Sequence, residues 1–456
     1  MISEAFEPPF VRPIEKLRLS IQSLKNACDC VMSNWTHDAY EARFYRIPLM
    51  PMLMVMDRDA LHEVFVTKAD NFPQSAIFRR IVKPVWRDGI LTSQGEDWRW
   101  QRHAAAPAFT PAAAHLVIPH ATRGATLLAR RWLDRLDTPI DIVPGLADLA
   151  THVVFDALLD GGKGANVEEF LAEAELMSAI IGKLNLADIF NLPNWTRRFF
   201  GSTLDTPAGA LHAYVARVLA DATLPATSKR SLLQMLATST DPETGRQMSS
   251  DQLQDNIVGS LSAGRDTTSL TIAWAIYCVS RHRPTYDRLV EEIDTVTGGG
   301  AVEARHLDQL AFTRAVIMET LRLFPPGPQL ARDCVEDTDL QGERVKRGTM
   351  ILIPIYALHR HRTYWDRPNV FDPDRFMEGR FKGREHRYSY MPFGAGSRIC
   401  LGMAFALAEA QTVLATLFQS LTFEITDDRP IEFESAVLRS KHGLPMTIRR
   451  RTMPRQ

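Results

Sequence analysis

Apolar residues recur at helical spacing through most of the chain, with prolines marking the breaks. The segment 110–236 is rich in Ala and Leu and is broken at Pro139, Pro193, Pro207 and Pro225, so it predicts several packed helices. Segment 249–281 contains no proline and predicts one long helix with a polar, small-residue band in its middle. Two further helices are predicted over 312–324, which Pro325 and Pro326 end, and over 401–421.

Short apolar runs near both ends of the chain predict strands. The run 44–56 contains Pro48 and Pro51 and predicts edge strands, while VKRGTMILIPIY predicts a strand pair. We therefore expect a mainly α fold with a small β part, in a single domain over 1–456. The expected β-rich portion covers about 40–60, 330–360 and 422–450, and the helical portion about 57–325 and 401–421.

Composition and charge exclude several classes of protein. Hydrophobic residues make up 45% and charged residues 23%, as in ordinary globular proteins, and the net charge of −1 argues against nucleic-acid binding. The chain lacks the long apolar run of a membrane span, and its N-terminus carries charge and proline where a signal peptide is apolar. Five scattered cysteines favour a reducing compartment, so we expect a cytoplasmic protein.

The sequence FGAGSRICLG, residues 393–402, carries the strongest chemical signal. Two glycines permit a tight turn, and Cys400 stands at the start of a predicted helix, where free N–H groups favour a thiolate. Such a loop presents a single thiolate to a metal whose other ligands are not protein. The alternative is a buried cysteine beside a glycine turn.

This loop resembles the haem-binding loop of the cytochrome P450 family, F-G-x-G-x-R-x-C-x-G, at every fixed position. The resemblance implies the cytochrome P450 fold: a triangular helical bundle with haem b between a long central helix and the helix after the cysteine. It makes Cys400 the axial thiolate ligand of the iron, and it places Phe393 and Gly394 against the cofactor.

A second match is Glu319-Thr320-Leu321-Arg322, with Arg375 in the sequence Pro-Asp-Arg-Phe. A Glu–Arg pair three residues apart on a helix is ordinarily a surface ion pair of little energetic value. In the family the pair is buried with an arginine from the segment before the cysteine loop. The resemblance therefore implies a structural network of Glu319, Arg322 and Arg375.

A third match is AGRDTT, residues 263–268, in the middle of the long predicted helix. Glycine, aspartate and threonine are poor helix formers, and a helix kink with threonine bonded to the backbone is the alternative explanation for them. The resemblance implies that Gly264 leaves room above the iron. It also implies that Thr267, paired with Asp266, delivers protons to dioxygen.

A fourth match is Trp98-Arg99-Trp100-Gln101-Arg102, which resembles the W-x-x-x-R sequence of the family. The resemblance implies that Arg102, Arg332 and Arg398 bind the haem propionates, with Trp98 packed nearby. Buried anions require charge-assisted partners of this kind. The alternative for each arginine is a solvated side chain.

The resemblance implies a monooxygenase that inserts one oxygen atom from O₂ into a hydrophobic small molecule. Because no additional domain is evident, NAD(P)H electrons are expected through ferredoxin and ferredoxin reductase, and basic residues within 375–387 are candidates for docking. The protein is expected to be a monomer. One alternative is a peroxide-using haem-thiolate enzyme, and the presence of the Asp266–Thr267 pair argues against it. The other is a haem sensor or carrier.

The substrate pocket is specified only by position within the family pattern. Its walls are expected from the segment 78–86, the long helix and the segment 329–331, with a lid over 193–207. The candidate residues are Phe78, Ile81, Val82, Leu261, Ala263, Thr268 and Leu330. An apolar pocket suits a fatty acid, terpenoid, steroid or aromatic compound.

Overall fold

The computed structural model describes residues 41–46, 51–135, 138–159, 205–221, 232–377, 387–427, 429, 431–434 and 437–451. The helices are α1 (Arg58–His62), α2 (Ala76–Trp86), α3 (Gly95–Ala105), α4 (Pro111–Ala114), α5 (Ile118–Leu133), α6 (Ile142–Leu159), α7 (Asp205–Asp221), α8 (Leu232–Ala237), α9 (Ser250–Ser280), α10 (Arg283–Thr297), α11 (Ala304–Leu307), α12 (Ala311–Leu323), α13 (Ile355–Leu358) and α14 (Met403–Ser420).

The strands are short and form four small sheets in the described part of the chain. They are β1 (Phe44–Arg46), β2 (Met52–Val55), β3 (Ile140–Asp141), β4 (Leu330–Asp333), β5 (Thr338–Leu340), β6 (Glu343–Val345), β7 (Met350–Ile353), β8 (Leu421–Ile425), β9 (Phe433–Glu434), β10 (Arg439–Ser440) and β11 (Pro445–Arg450). The prediction of a mainly α fold with a small β part is confirmed.

Two predictions about strands need correction. Strands β6 and β7 do not pair with each other: β6 pairs with β5, and β7 lies between β2 and β4 in the order β1-β2-β7-β4. The β2–β7 pairing is parallel, with Leu53 opposite Ile351, so β2 is an inner strand. The prolines precede β2, and they therefore do not interrupt its hydrogen bonds.

Helix α9 is the central element and packs against α6, α12 and α14. It begins with a capping box, in which Ser249 and Gln252 satisfy each other's backbone N–H groups. Toward its end, Trp274 stacks on Phe324 at 4.4 Å between ring centroids and donates a hydrogen bond to the Leu438 carbonyl. These contacts anchor one end of a helix whose middle lines a cavity next to Cys400.

None of the helices in the described residues combines the length and apolarity that crossing a bilayer requires.

Candidate active site

A cavity of about 430 Å³ lies between α9 and the loop that precedes α14. Its volume is within the range typical of small-molecule and cofactor sites. Its walls are mainly apolar, and the polar side chains include several arginines, Cys400 and residues of α9. Among the predicted site residues, it is lined by Trp98, Arg102, Ala263, Gly264, Thr267, Thr268, Leu330, Arg332, Phe393, Gly394, Arg398 and Cys400.

The loop before α14 is a tight turn that holds Cys400 at the cavity wall. Gly394 and Gly396 adopt positive φ angles of 75° and 71°, and the Cys400 N–H donates to the Phe393 carbonyl at 2.9 Å. A Cβ on Gly396 would lie 2.4 Å from the Phe65 carbonyl oxygen. Glycine is therefore required here, both for the turn and for its close contact with Phe65.

The Cys400 thiol lies in the wall of the cavity and is accessible from it. Burial within the cavity raises the pKa of this thiol, while the Gly402 backbone N–H and the Arg102 charge lower it. A metal ion on the sulfur reverses this balance, because a coordinated thiol loses its proton. The loop thus offers one sulfur ligand toward the cavity.

Three arginines line another part of the cavity wall without any acidic partner among the described residues. Arg332 is almost fully buried, and burial lowers its pKa to about 10. The pKa of Arg398 is also lowered to about 10, first by burial and then by the charges of neighbouring arginines, including Arg102. An anion supplied by a ligand would neutralise this cluster, and the carboxylates of haem suit it.

Trp98 supports this cluster from α3. The Arg398 guanidinium lies 4.3 Å from the centroid of the Trp98 ring, and its Nη2 donates to the Ser93 carbonyl at 2.8 Å. A cation over an indole face is a favourable arrangement that also fixes the direction of the guanidinium. The cavity therefore fits haem in two respects: a single thiol ligand and a separate, unneutralised arginine cluster.

Arg79 of α2 is a further cation near this cluster that sequence reasoning missed. Its charge is among those that lower the pKa of Arg398, and its buried Nε has no hydrogen-bond partner in the described part of the chain. The sequence does contain a signal, an arginine pair inside the otherwise apolar stretch AIFRRIVKPVW. The helical spacing of this stretch does not show which residues the two arginine side chains contact.

One face of α9 forms the opposite wall. Thr267 is open to the cavity, and its hydroxyl donates to the Ala263 carbonyl at 2.7 Å. Gly264 also lines the cavity, but a Cβ there would lie 2.9 Å from a methyl carbon of Val154. Because Gly264 has no side chain, α6 can pack closely against α9 at this point. The sequence pattern did not indicate this contact.

Asp266 does not line the cavity and is not hydrogen-bonded to Thr267. Its carboxylate is buried and accepts from Arg265 at 2.7 Å and from Arg439 of β10 at 3.4 Å. The expected pairing of Asp266 with Thr267 is therefore not a direct contact in this structure. Adjacent residues on a helix point about 100° apart, which explains the separation.

Glu319 and Arg322 form a fully buried, bidentate pair with both N–O distances at 2.7 Å. Arg322 donates in addition to the carbonyls of His359, Pro368 and Val370. Arg375 approaches Glu319 with its Nε at 3.4 Å. The three residues predicted as a network lie together, and they bind the segment before the cysteine loop to α12.

His359 connects this network to the cysteine loop. Its Nδ1 donates to the Arg322 carbonyl at 3.1 Å, and its Nε2 accepts from the Met391 N–H at 2.8 Å. The ring must be neutral to make both bonds. Burial lowers the pKa of His359 to about 3, with the charge of Arg322 as the next cause.

His359 should make the protein less stable as the pH falls below the unfolded value of about 6.5. In that range the unfolded chain binds a proton that the folded chain excludes, so the free energy of unfolding falls by about 2 kcal/mol between pH 7 and pH 5. Urea unfolding of the native protein and of His359→Gln checks this. The variant should lose this share of the pH dependence, and equal slopes would contradict the assignment.

Four of the predicted pocket residues do not line the cavity. Phe78 is partly exposed and packs on Trp86 at 6.4 Å between ring centroids, while Ile81, Val82 and Leu261 are buried in the protein interior. The three of these residues that belong to α2 do not reach the cavity, and residues at and after the end of α2 line it instead, namely Trp86, Gly89, Ile90 and Leu91. The predicted lid over 193–207 lies almost entirely outside the described residues.

Comparison with known proteins decides the family. The model of the family described as Cytochrome P450 matches residues 34–446. The chain belongs to the cytochrome P450 family. It is an oxidoreductase, a haem-thiolate monooxygenase that uses haem with a cysteine thiolate and O₂, draws electrons from a redox partner and acts on a small molecule.

Similar proteins come from bacteria and plants. Cyclooctatin synthase of Streptomyces melanosporofaciens is 32% identical over 74% of this chain and 72% of its own length. Cytochrome P450 714B3 of Zea mays is 28% identical over 84% of this chain and 72% of its own. The crystal structure of the cytochrome P450DA heme domain superposes with a TM-score of 0.75, at 20% identity and 88% coverage of both chains. That likeness shows the cytochrome P450 fold.

Proposed function

We propose that this cytochrome P450 hydroxylates or epoxidises an apolar small molecule, with NAD(P)H electrons delivered through a separate ferredoxin and ferredoxin reductase. The observation that carries the proposal is one cavity that joins the Cys400 thiol, the open Thr267 hydroxyl and an arginine cluster to which the described residues offer no acidic partner. The scattered cysteines support a cytoplasmic enzyme, and we propose that it acts as a monomer.

Different residues of the cavity are proposed to bind different parts of the cofactor. Cys400 would supply the thiolate ligand, and Arg102, Arg332 and Arg398 would hold the two propionates, while Trp98 fixes the direction of Arg398. Phe393 and Gly394 would contact the cofactor from the loop. When bound, haem supplies the activation of O₂, and a thiolate ligand favours cleavage of the O–O bond.

Thr267 is the proposed proton carrier. Because its own proton is donated to the Ala263 carbonyl, its oxygen is left to accept a hydrogen bond inside the cavity. The reaction consumes two protons and two electrons for each oxygen atom inserted, and the other oxygen leaves as water. Asp266, held by Arg265 and Arg439, is the proposed proton source behind Thr267 and must act through a bridging water or a side-chain rotation.

The substrate is proposed to lie against the apolar part of the wall. Ala263, Thr268 and Leu330 line the cavity with Trp86 and Leu91, so most of the available contacts are apolar or small. Such a surface stabilises fatty acids, terpenoids, steroids and aromatic compounds alike through burial. Shape and the few polar groups must therefore determine the choice among them.

Replacing Thr267 by alanine should uncouple electron consumption from product formation. Without the hydroxyl, the ordered delivery of protons to the oxygen cosubstrate is lost. Most of the electrons taken from NAD(P)H, in the presence of ferredoxin and its reductase, should then end in hydrogen peroxide and not in product. Measured together, NAD(P)H, O₂, peroxide and product give the coupling ratio.

Thr271→Ala is the matched control for this experiment. Thr271 also lines the cavity and also donates to a backbone carbonyl one turn earlier, at 2.8 Å, so coupling should be retained in that variant. Intact coupling in Thr267→Ala would remove the proton-carrying role. Efficient product formation from peroxide alone, without electron carriers, would favour the peroxide-using alternative.

Reversal of charge at Arg384 and Arg387 should slow reduction by ferredoxin. Arg387 is exposed beside the cysteine loop, whereas Arg380, Lys382 and Arg384 lie outside the described residues. Electrostatic steering of an acidic partner predicts a decrease of about tenfold in the association rate at low salt, and little difference at high salt. Stopped-flow reduction measures it, with Arg305→Glu as the control. Equal rates at low salt would contradict docking here.

A further inference from the structure

A buried polar pair, Asp255 of α9 and His212 of α7, stands at the cavity. The two side chains are 6% and 2% exposed, and Asp255 lines the cavity. His212 Nδ1 lies 3.6 Å from Asp255 Oδ1, which is too long for a hydrogen bond. The two side chains therefore lie next to each other without a hydrogen bond between them.

The remaining bonds of the pair define its chemistry. His212 Nε2 bonds to the Val85 carbonyl at 2.7 Å, and a carbonyl only accepts, so Nε2 carries the proton. In the neutral ring Nδ1 is then an acceptor, and it is buried without a hydrogen-bond partner among the described residues. Asp255 Oδ2 accepts from the Asp88 N–H at 3.1 Å, which leaves Oδ1 without a bond there.

The charged groups around the pair do not supply a hydrogen bond to His212 Nδ1 or Asp255 Oδ1. Burial lowers the pKa of His212 and raises that of Asp255; the charge of Arg87 lowers both, and the charge of Asp88 raises that of Asp255. None of these groups bonds to Oδ1 or Nδ1. Two acceptors 3.6 Å apart, with no donor between them, are suited to a ligand that donates a hydrogen bond.

The adjacent polar residue of α9 has no such capacity. The side chain of Asn256 also lies at the cavity, but its oxygen accepts from the Ile90 N–H at 2.8 Å. Its nitrogen donates to Gln101 at 3.0 Å and to the Gln252 carbonyl at 2.8 Å. Of these two adjacent residues, Asp255 is therefore the one with an acceptor left open.

We propose that Asp255, with His212 Nδ1 as a second acceptor beside it, binds a hydroxyl group at one end of an elongated apolar substrate. A hydroxyl suits the site because it donates to an ionised carboxyl and accepts from a protonated one. Asp255 precedes Thr267 by twelve residues, a rise of about 18 Å along the helix. Oxidation is thus directed to carbons remote from the hydroxyl. This inference rests on the proposed oxygenase function.

The test compares 1-dodecanol with its methyl ether, which lacks the donor, by calorimetric titration of the haem-loaded protein. The native protein should bind the alcohol about tenfold more tightly, the ratio expected for one hydrogen bond to a charged group. Asp255→Leu should bind both equally. Asp88→Asn, which keeps the backbone N–H bond to Asp255, should retain the preference. Products should carry the new oxygen far from the hydroxyl.

Equal affinity of the native protein for alcohol and ether would overturn the proposal, since the pair then holds only water. A preference that persists in Asp255→Leu would also overturn it. The native comparison needs no variant, so a folding defect in Asp255→Leu leaves the result intact. Reduced protein with carbon monoxide is recorded in parallel: loss of the thiolate band marks failure of the oxygenase function, which is separate from failure of the anchor.

Discussion

Replacement of Cys400 by alanine is expected to abolish the strongly red-shifted band that the reduced protein gives with carbon monoxide. The band depends on thiolate ligation of haem, and among the cysteines of the described residues Cys400 is the one that lines the cavity. The variant should either lose haem or give a band typical of other ligation. Monooxygenase turnover should fall to background in the same preparation.

Cys334→Ala is the control for this experiment. Cys334 is buried away from the cavity, and its thiol donates to the Glu336 carbonyl. This variant should keep the band at full intensity per haem. A native protein that lacks the band, or a Cys400→Ala variant that retains it, would contradict the assignment of the axial ligand.

Removal of Arg322 is expected to produce the largest loss of stability of any single substitution proposed here. Glu319 would remain as a fully buried carboxylate without its bidentate partner, and three carbonyls would lose a donor. Breaking a buried pair on one side costs about 3–5 kcal/mol. Urea unfolding of Arg322→Ala should show this loss, together with reduced haem retention.

Arg322→Lys tests whether the guanidinium shape matters. A lysine ammonium cannot bond Glu319 through two parallel N–H groups and also reach three carbonyls, so this variant should be clearly destabilised as well. Arg288→Ala is the control, because its pair with Asp374 is half exposed and should contribute about 1 kcal/mol or less. Equal stability of Arg322→Lys and the native protein would contradict the structural role.

The parts of the site that follow one another in the chain were predictable from the sequence. The loop from Phe393 to Gly402 carries its own turn geometry in two glycines, and its cysteine stands next to a helix start. Glu319 and Arg322 share a helix face by spacing alone. Trp98 and Arg102 do so as well, and both line the cavity. Local spacing and backbone preference were sufficient in these cases.

Contacts between distant segments were not predictable in the same way. The placement of Arg79 near Arg398 joins α2 to the cysteine loop, and the role of His359 depends on Met391 and Arg322 together. The pairing of β7 with β2 brings together residues about 300 positions apart. No local pattern encodes which distant partner a side chain or strand meets.

By itself the sequence determined the family, the cysteine loop and the helical character of the protein, because these depend on residues close in the chain. The tertiary structure alone decided that Gly264 accommodates Val154, that Asp266 turns from the cavity toward Arg439, and that Asp255 meets His212. Each of these depends on how one helix is rotated and packed against another, and that is set by the whole core rather than by any segment.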